Sequence, residues 1–195
     1  MIIWLNGAFG SGKTQTANEL CRRLNKAYLY DPENVGYWLR KNEPAELAAD
    51  NFQDEPLWRS VNRDMLFHLA EQYQGIIVVP MTLVDVRYYH EIIGALRANG
   101  IEVQHFILCV REKTLRKRLH KRLEFGNSWA VRQIPRCFTA FESPVFENKL
   151  QTDGKSIPEV AEEIANRLSL TLQPRSNPIL QIWKQLRTQL RAVKK

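Results

Sequence analysis

The chain has 195 residues, 44% hydrophobic and 25% charged, enough for one globular domain with a full core and unlike a fibrous or wholly disordered chain. The formal net charge is +7, but six basic residues and no acidic one fall in residues 174–195, which leaves residues 1–173 at +1. A near-neutral body speaks against a broad nucleic-acid-binding face and for something specific at the C-terminus.

The chain opens on Met1-Ile2-Ile3-Trp4-Leu5, an apolar run with the pattern of a buried parallel strand over Ile2–Leu5. Gly7 to Thr14 follow as G-A-F-G-S-G-K-T, which fits the phosphate-binding pattern G-x-x-x-x-G-K-[ST]. Ala17, Leu20, Cys21 and Leu24 then recur at helical spacing, predicting a helix over Lys13–Leu24. Strand, glycine loop and helix form the context the motif requires. Gly7, Gly10 and Gly12 let backbone N–H groups turn toward phosphate oxygens, and the helix start adds its positive end. Ala8, Phe9, Ser11 and Gln15 complete the expected nucleotide cradle. Lys13 is placed to reach the β- and γ-phosphates of ATP, and the Thr14 hydroxyl to ligate Mg²⁺.

Further strands are expected at Ala27–Tyr30, Gly75–Val79, Val103–Val110 and Lys149–Gln151, and helices at Leu57–Tyr73, Val86–Asn99, Lys113–Leu123, Trp129–Phe141 and Ile157–Leu168. Ile76-Ile77-Val78-Val79 is apolar on both faces and needs cover on both sides. Alternation with helices therefore predicts an α/β, three-layer sandwich around a parallel sheet. Ligands on such sheets bind beyond the carboxyl ends of the strands. Asp31, after the second strand, is placed to accept a proton from a substrate hydroxyl or to hold Mg²⁺, and a simple turn aspartate before Pro32 is the alternative.

The third strand ends in Pro80-Met81-Thr82, where many P-loop proteins place a Mg²⁺-binding aspartate. Asp85 lies beyond, as a second acid or as a helix cap. After the fourth strand Arg118 and Arg122 share a helix face and are candidates to cover the transferring phosphoryl group. Gly126-Asn127-Ser128 then breaks the chain, and residues 111–136 read as a lid that includes Arg132 and Arg136. The stretch 32–60, with Tyr37, Trp38, Phe52 and Trp58, has no dominant period and is either an acceptor pocket or a small helical subdomain. Cys21, Cys109 and Cys137 sit in apolar stretches and read as reduced packing residues of a cytoplasmic protein. No apolar run has transmembrane length and no signal peptide is evident.

The P-loop segment together with Y-D-P-E, P-L-W-R, V-P-M-T, N-S-W-A, S-P-V-F-E and L-Q-T-D resembles the tunicamycin resistance proteins of Bacillus-type bacteria, in order from Met1 to about Leu172. The resemblance implies a P-loop NTPase fold of the nucleoside- and shikimate-kinase type rather than an AAA one. It also implies a five-stranded sheet of order 2-3-1-4-5 and use of ATP and Mg²⁺. By position it implies phosphate and metal roles for Lys13 and Thr14 and matches Asp31 to the strand-two acid of small kinases; Arg118 and Arg122 match lid arginines only loosely. It links the chain to tunicamycin, a nucleoside antibiotic of uracil, an aminodideoxydialdose, N-acetylglucosamine and a fatty acyl chain. Phosphorylation of a hydroxyl of such a compound and ATP-dependent sequestration are both compatible with that link. A nucleotide or RNA-end kinase is a third reading, which the near-neutral body disfavours.

Residues 1–173 are thus expected to form the kinase-like domain. In residues 174–195, Pro174 and Pro178 set off a separate element in which Ile179, Ile182, Trp183, Leu186, Leu190 and Val193 share an arc edged by Lys184, Arg187, Arg191 and Lys194. A basic amphipathic helix of this kind suits an anionic bilayer surface, which would add a peripheral position at the inner membrane face, or else packs on protein. The resemblance also implies membrane association through that helix.

Overall fold

The computed structural model describes residues 1–121 and 128–175. Five parallel strands, β1 (Ile2–Asn6), β2 (Ala27–Leu29), β3 (Ile76–Pro80), β4 (Val103–Cys109) and β5 (Lys149–Gln151), lie in the order β2-β3-β1-β4-β5. The strand order is the one the resemblance implies. β1 is the centre of the sheet: Leu5 is registered with Pro80 on one side and Phe106 on the other.

Alternate residues of a strand face opposite ways, and here both faces are covered. Ile2 and Trp4 enter a core with Trp58, Leu66, Ile92 and Leu96. Those partners come from α3 (Pro56–Gln72) and from a broken helix made of α4 (Val86–Tyr89), a π turn (His90–Gly94) and α5 (Ala95–Ala98). Ile3 and Leu5 enter the other core with Ala17, Leu20, Val160 and Ile164, from α1 (Lys13–Arg23) and the last described helix, α8 (Ile157–Arg167). Every β1 residue is buried, which explains the uninterrupted apolar start of the chain. The third layer boundary is local: Leu115 and Leu119 of α6 (Glu112–His120) and Ile134 and Cys137 of α7 (Trp129–Ala140) close over Ala8 and Val110.

Two stretches gain detail. The stretch after Asp31 contains a regular helix, α2 (Glu33–Asn42), followed by short 3-10 turns at Ala45–Leu47 and Phe52–Asp54. Only Gly36 and Leu39 of α2 are buried, so no apolar stripe announces it. Gly36 is needed because the Phe52 ring lies 2.6 Å from where a Cβ would stand. The expected helix Val86–Asn99 exists but carries the five-residue π turn, which widens one turn by a residue. Asp85 caps it, accepting from the backbone N–H of Arg87 at 2.8 Å and of Tyr88 at 3.3 Å. The helix start at α8 is fixed by a capping box between Ser156 and Glu159.

The last described segment returns to α1. Gln173 donates its N–H to the Arg23 carbonyl at 2.8 Å, and Arg23 Nε donates to the Gln173 carbonyl at 2.7 Å. Arg23 and Arg175 both hold Glu162, whose carboxyl they draw down to about 2, Arg175 more strongly. The expected amphipathic element beyond Pro178 lies outside the described residues, as do Arg122 and most of the Gly126-Asn127-Ser128 break.

Candidate functional site

The glycine loop has the backbone its sequence demands. Gly7, Gly10 and Gly12 have φ of 142°, 83° and 102°, values that favour glycine. A Cβ on Gly7 would stand 2.8 Å from Ser11 Oγ and 2.9 Å from the Leu108 carbonyl. Gly12 is the N-cap of α1 and supplies no side chain to its open N–H groups, and no acidic residue occupies the first turn. An anion is the natural partner for such an end. Lys13 is buried at the same end, with Nζ 2.8 Å from the Gly7 carbonyl and 3.1 Å from that of Ala8. The Ser11 hydroxyl is buried with no hydrogen-bond partner among the described residues. These are the features of a phosphate cradle: a glycine loop at a helix start without a side-chain cap, a stored cation and a spare hydroxyl.

The loop is anchored by a polar clamp between strand ends that sequence reasoning did not find. Asn6, fully buried, accepts from the N–H of Gly7 at 2.8 Å and of Leu83 at 2.9 Å, and its Nδ2 donates to the Leu83 carbonyl at 2.6 Å. Thr82 donates its hydroxyl to the Gly7 carbonyl at 2.9 Å. Gln53 Nε2 donates to the Thr82 carbonyl at 2.7 Å, and Trp4 Nε1 to that of Met81 at 3.2 Å. Arg59 in turn holds the Gln53 carbonyl at 2.7 Å, pairs with Glu91 and stacks on Tyr88. Asn6 and Gly7 are neighbours, and Arg59 and Gln53 lie close in sequence. The bonds of Asn6 to Leu83, Thr82 to Gly7, Gln53 to Thr82 and Trp4 to Met81 join residues far off in sequence. Leaving two N–H groups unpaired by removing the Asn6 amide would cost about 1–3 kcal/mol for each.

Asp31 stands at the end of β2, half-buried, between two residues fixed to α3. Tyr30 donates its hydroxyl to Asn62 Oδ1 at 2.7 Å, and Trp58 Nε1 donates to the Pro32 carbonyl at 3.1 Å. One Asp31 oxygen accepts from the Glu33 N–H at 3.2 Å, the turn geometry of an aspartate opening a helix. Tyr37 reaches Glu33, and burial, with the charges of Glu33 and Asp31, pushes its phenol up. Of the aromatics, Trp58 and Phe52 pack as core, while Trp38 is exposed on α2. Thr14, the other expected metal residue, is exposed at the start of α1.

On the opposite flank, Arg118 of α6 reaches across the loop, its Nη1 3.2 Å from the Gly10 carbonyl and 3.3 Å from that of Ser11. Phe9 and Trp129 meet edge to face at 4.9 Å, tying the loop to α7 as well. Arg111 pairs with Asp153, joining the ends of β4 and β5 beside the loop, and Arg111 first, then Thr114, hold the Asp153 carboxyl below its usual range. Arg132 and Arg136 are exposed on α7. Burial pushes the Cys21 thiol up to about 12 and that of Cys137 up to about 11, so neither is a nucleophile at neutral pH.

A glycine loop opening α1 at the end of the central strand, in a sheet of this order, makes the chain a P-loop protein of the small-kinase type. Residues 2–134 match the family model described as AAA domain. The tunicamycin resistance protein of Deinococcus radiodurans superposes with a TM-score of 0.78 at 30% identity, over 89% of this chain and 98% of that one. The chain belongs to the tunicamycin resistance protein family. The Mycobacterium tuberculosis APS kinase, solved with AMPPNP and APS, shares the fold with a TM-score of 0.57 at 21% identity, over 86% of this chain and 96% of that one. The shikimate kinase of Bacteroides thetaiotaomicron shares it with a TM-score of 0.56 at 19% identity, over 87% and 99%. No curated protein matches the chain. No helix among the described residues is long and apolar enough to cross a membrane.

Proposed function

We propose that the chain is an ATP-dependent phosphotransferase that modifies a hydroxyl of tunicamycin or a related nucleoside antibiotic and so confers resistance. The observation that carries the nucleotide part is Lys13, a buried ammonium at the positive end of α1, folded onto the carbonyls of a glycine loop. An anion bound there would meet both that ammonium and the positive end of the helix. The resistance protein of Deinococcus radiodurans supports the choice of acceptor.

In this reading the loop N–H groups and Lys13 hold the β- and γ-phosphates. Thr14 and Asp31 offer hard oxygen donors suited to Mg²⁺, which when bound offsets charge on those phosphates. Asp31 orients the acceptor hydroxyl and takes its proton as the oxygen attacks the γ-phosphorus and the bond to ADP breaks. Arg118, already over the loop, and Arg122, outside the described residues, meet charge on the transferring group. Residues 111–136 act as the lid and 32–60 as the acceptor side. The basic segment 178–195 rests on the inner face of an anionic membrane, where a lipid-tailed antibiotic gathers.

A second reading, capture of the antibiotic without turnover, is favoured by two observations. Thr82 stands where an acid is common, and one Asp31 oxygen is engaged in the turn to Glu33. Incubation of the purified chain with Mg·ATP and tunicamycin separates the two. ADP with a product heavier by one phosphoryl group supports transfer; bound, unmodified antibiotic with no ADP supports capture.

A further inference from the structure

We propose that Thr82 is a positioning residue for phosphate binding: its hydroxyl retains the Gly7 carbonyl when the Lys13 ammonium moves from that carbonyl onto phosphate. The proposal rests on the nucleotide reading above and assigns a role to a position otherwise notable for lacking an acid.

The Gly7 carbonyl accepts two donors at nearly equal distance, Lys13 Nζ at 2.8 Å and Thr82 Oγ1 at 2.9 Å. A carbonyl has two lone pairs, so both bonds are full ones. Gly7 is buried, so its carbonyl has no open solvent to turn to. Its N–H is held by Asn6, and Ser11 and Leu108 close in on its α-carbon. When Lys13 leaves, the carbonyl therefore stays where it is. Without Thr82 it would be a buried acceptor with no partner, and that cost would hold the ammonium back. With Thr82 the lysine is released at the cost of one of two bonds.

Thr82 is itself locked for this role. It is buried, its carbonyl is held by Gln53, and its neighbours Met81 and Leu83 are fixed by Trp4 and Asn6. A carboxylate in its place would pair with the Lys13 ammonium and compete with phosphate for it. A neutral hydroxyl donates to the carbonyl and leaves the cation for the ligand.

The test combines ATP titration with an unfolding cycle on the full chain. In Thr82→Val the ATP dissociation constant should rise about 5- to 100-fold, the range a buried carbonyl left without a donor implies. Thr82→Ser should bind ATP within about threefold of the unsubstituted chain, by the same rule for a retained donor. Without ligand, Thr82→Val and Lys13→Met should each lower the urea midpoint slightly, and together by more than the sum, because only the double variant strips both donors from Gly7. If Thr82→Val does not fold, Thr82→Cys, with a weaker donor of similar size, takes its place in both measurements. Unchanged ATP affinity in a chain that binds ATP, or additive losses in the cycle, overturns the role of Thr82 and leaves the nucleotide reading standing. No ATP binding by the unsubstituted chain overturns both.

Discussion

Nδ2 of Asn6 lies 3.2 Å from Nε2 of His105, and both side chains are buried at the heart of the sheet. An amide nitrogen can only donate, so Nε2 accepts and the ring is neutral, its proton on Nδ1. Protonation would set two donors against each other. Burial, aided by the charge of Arg97, pushes the His105 pKa down to about 3. In the unfolded chain the ring titrates near its ordinary value of about 6.5. The unfolded state thus binds more protons between these limits, and the stability held in a neutral His105 is complete above pH 6.5 and drains as pH falls toward 3. Between pH 6.5 and 5, above the range of the carboxylates, the unfolding free energy should fall by up to about 1.4 kcal/mol per pH unit. His105→Gln should flatten that slope. Equal slopes in both chains by urea unfolding would refute the assignment.

Asp31→Asn keeps the shape of the β2 end, including an oxygen for the Glu33 N–H, and removes the base. A phosphotransferase should keep its ATP affinity and lose turnover by about two orders of magnitude or more. A sequestering protein should protect cells as before. Resistance measured in cells carrying Asp31→Asn, beside turnover in vitro, decides between the two readings.

Arg118→Ala tests the flank over the loop. Its guanidinium rests on the Gly10 and Ser11 carbonyls, so the urea midpoint of the variant is measured beside its kinetics. If the group meets charge that grows in the transition state, kcat should fall by about ten- to a thousandfold with KM little altered. A rise in KM alone would reduce Arg118 to a docking residue.

For the C-terminal segment the measurement is co-sedimentation with anionic vesicles. The full chain should bind and be released by salt, and a chain ending at Arg175, which retains the pair with Glu162, should not bind. Equal binding by both chains would remove the membrane contact from the proposal.

Where the sequence was informative, the reason is local. The phosphate loop needs glycines at fixed places, and strands buried on both faces, such as β1 and β3, need continuous apolar runs; all five strands stand within a residue or so of their expected ends. The amphipathic helices α1, α3, α6, α7 and α8 are legible for the same reason. Helix α2 was not, because its buried face is only Gly36 and Leu39 and the rest of its surface is wet. The π turn at His90–Gly94 was hidden too, since a single widened turn leaves the apolar period nearly intact. The clamp of Asn6, Gln53, Arg59 and Thr82 was invisible for another reason. Asn6 meets Leu83 and Gly7 meets Thr82 across 77 and 75 residues of sequence, and no periodicity encodes such meetings. Thr82 registered only as an acid that was missing.

The mutual pair between Gln173 and Arg23 has a consequence for how the molecule is held. Helix α1 starts at the phosphate loop and ends at Arg23, eleven residues or about 16 Å away. The C-terminal stretch is therefore fastened at the pole opposite the loop. A surface, a bead or a fusion partner attached there grips the protein by a handle and leaves its mouth pointing outward.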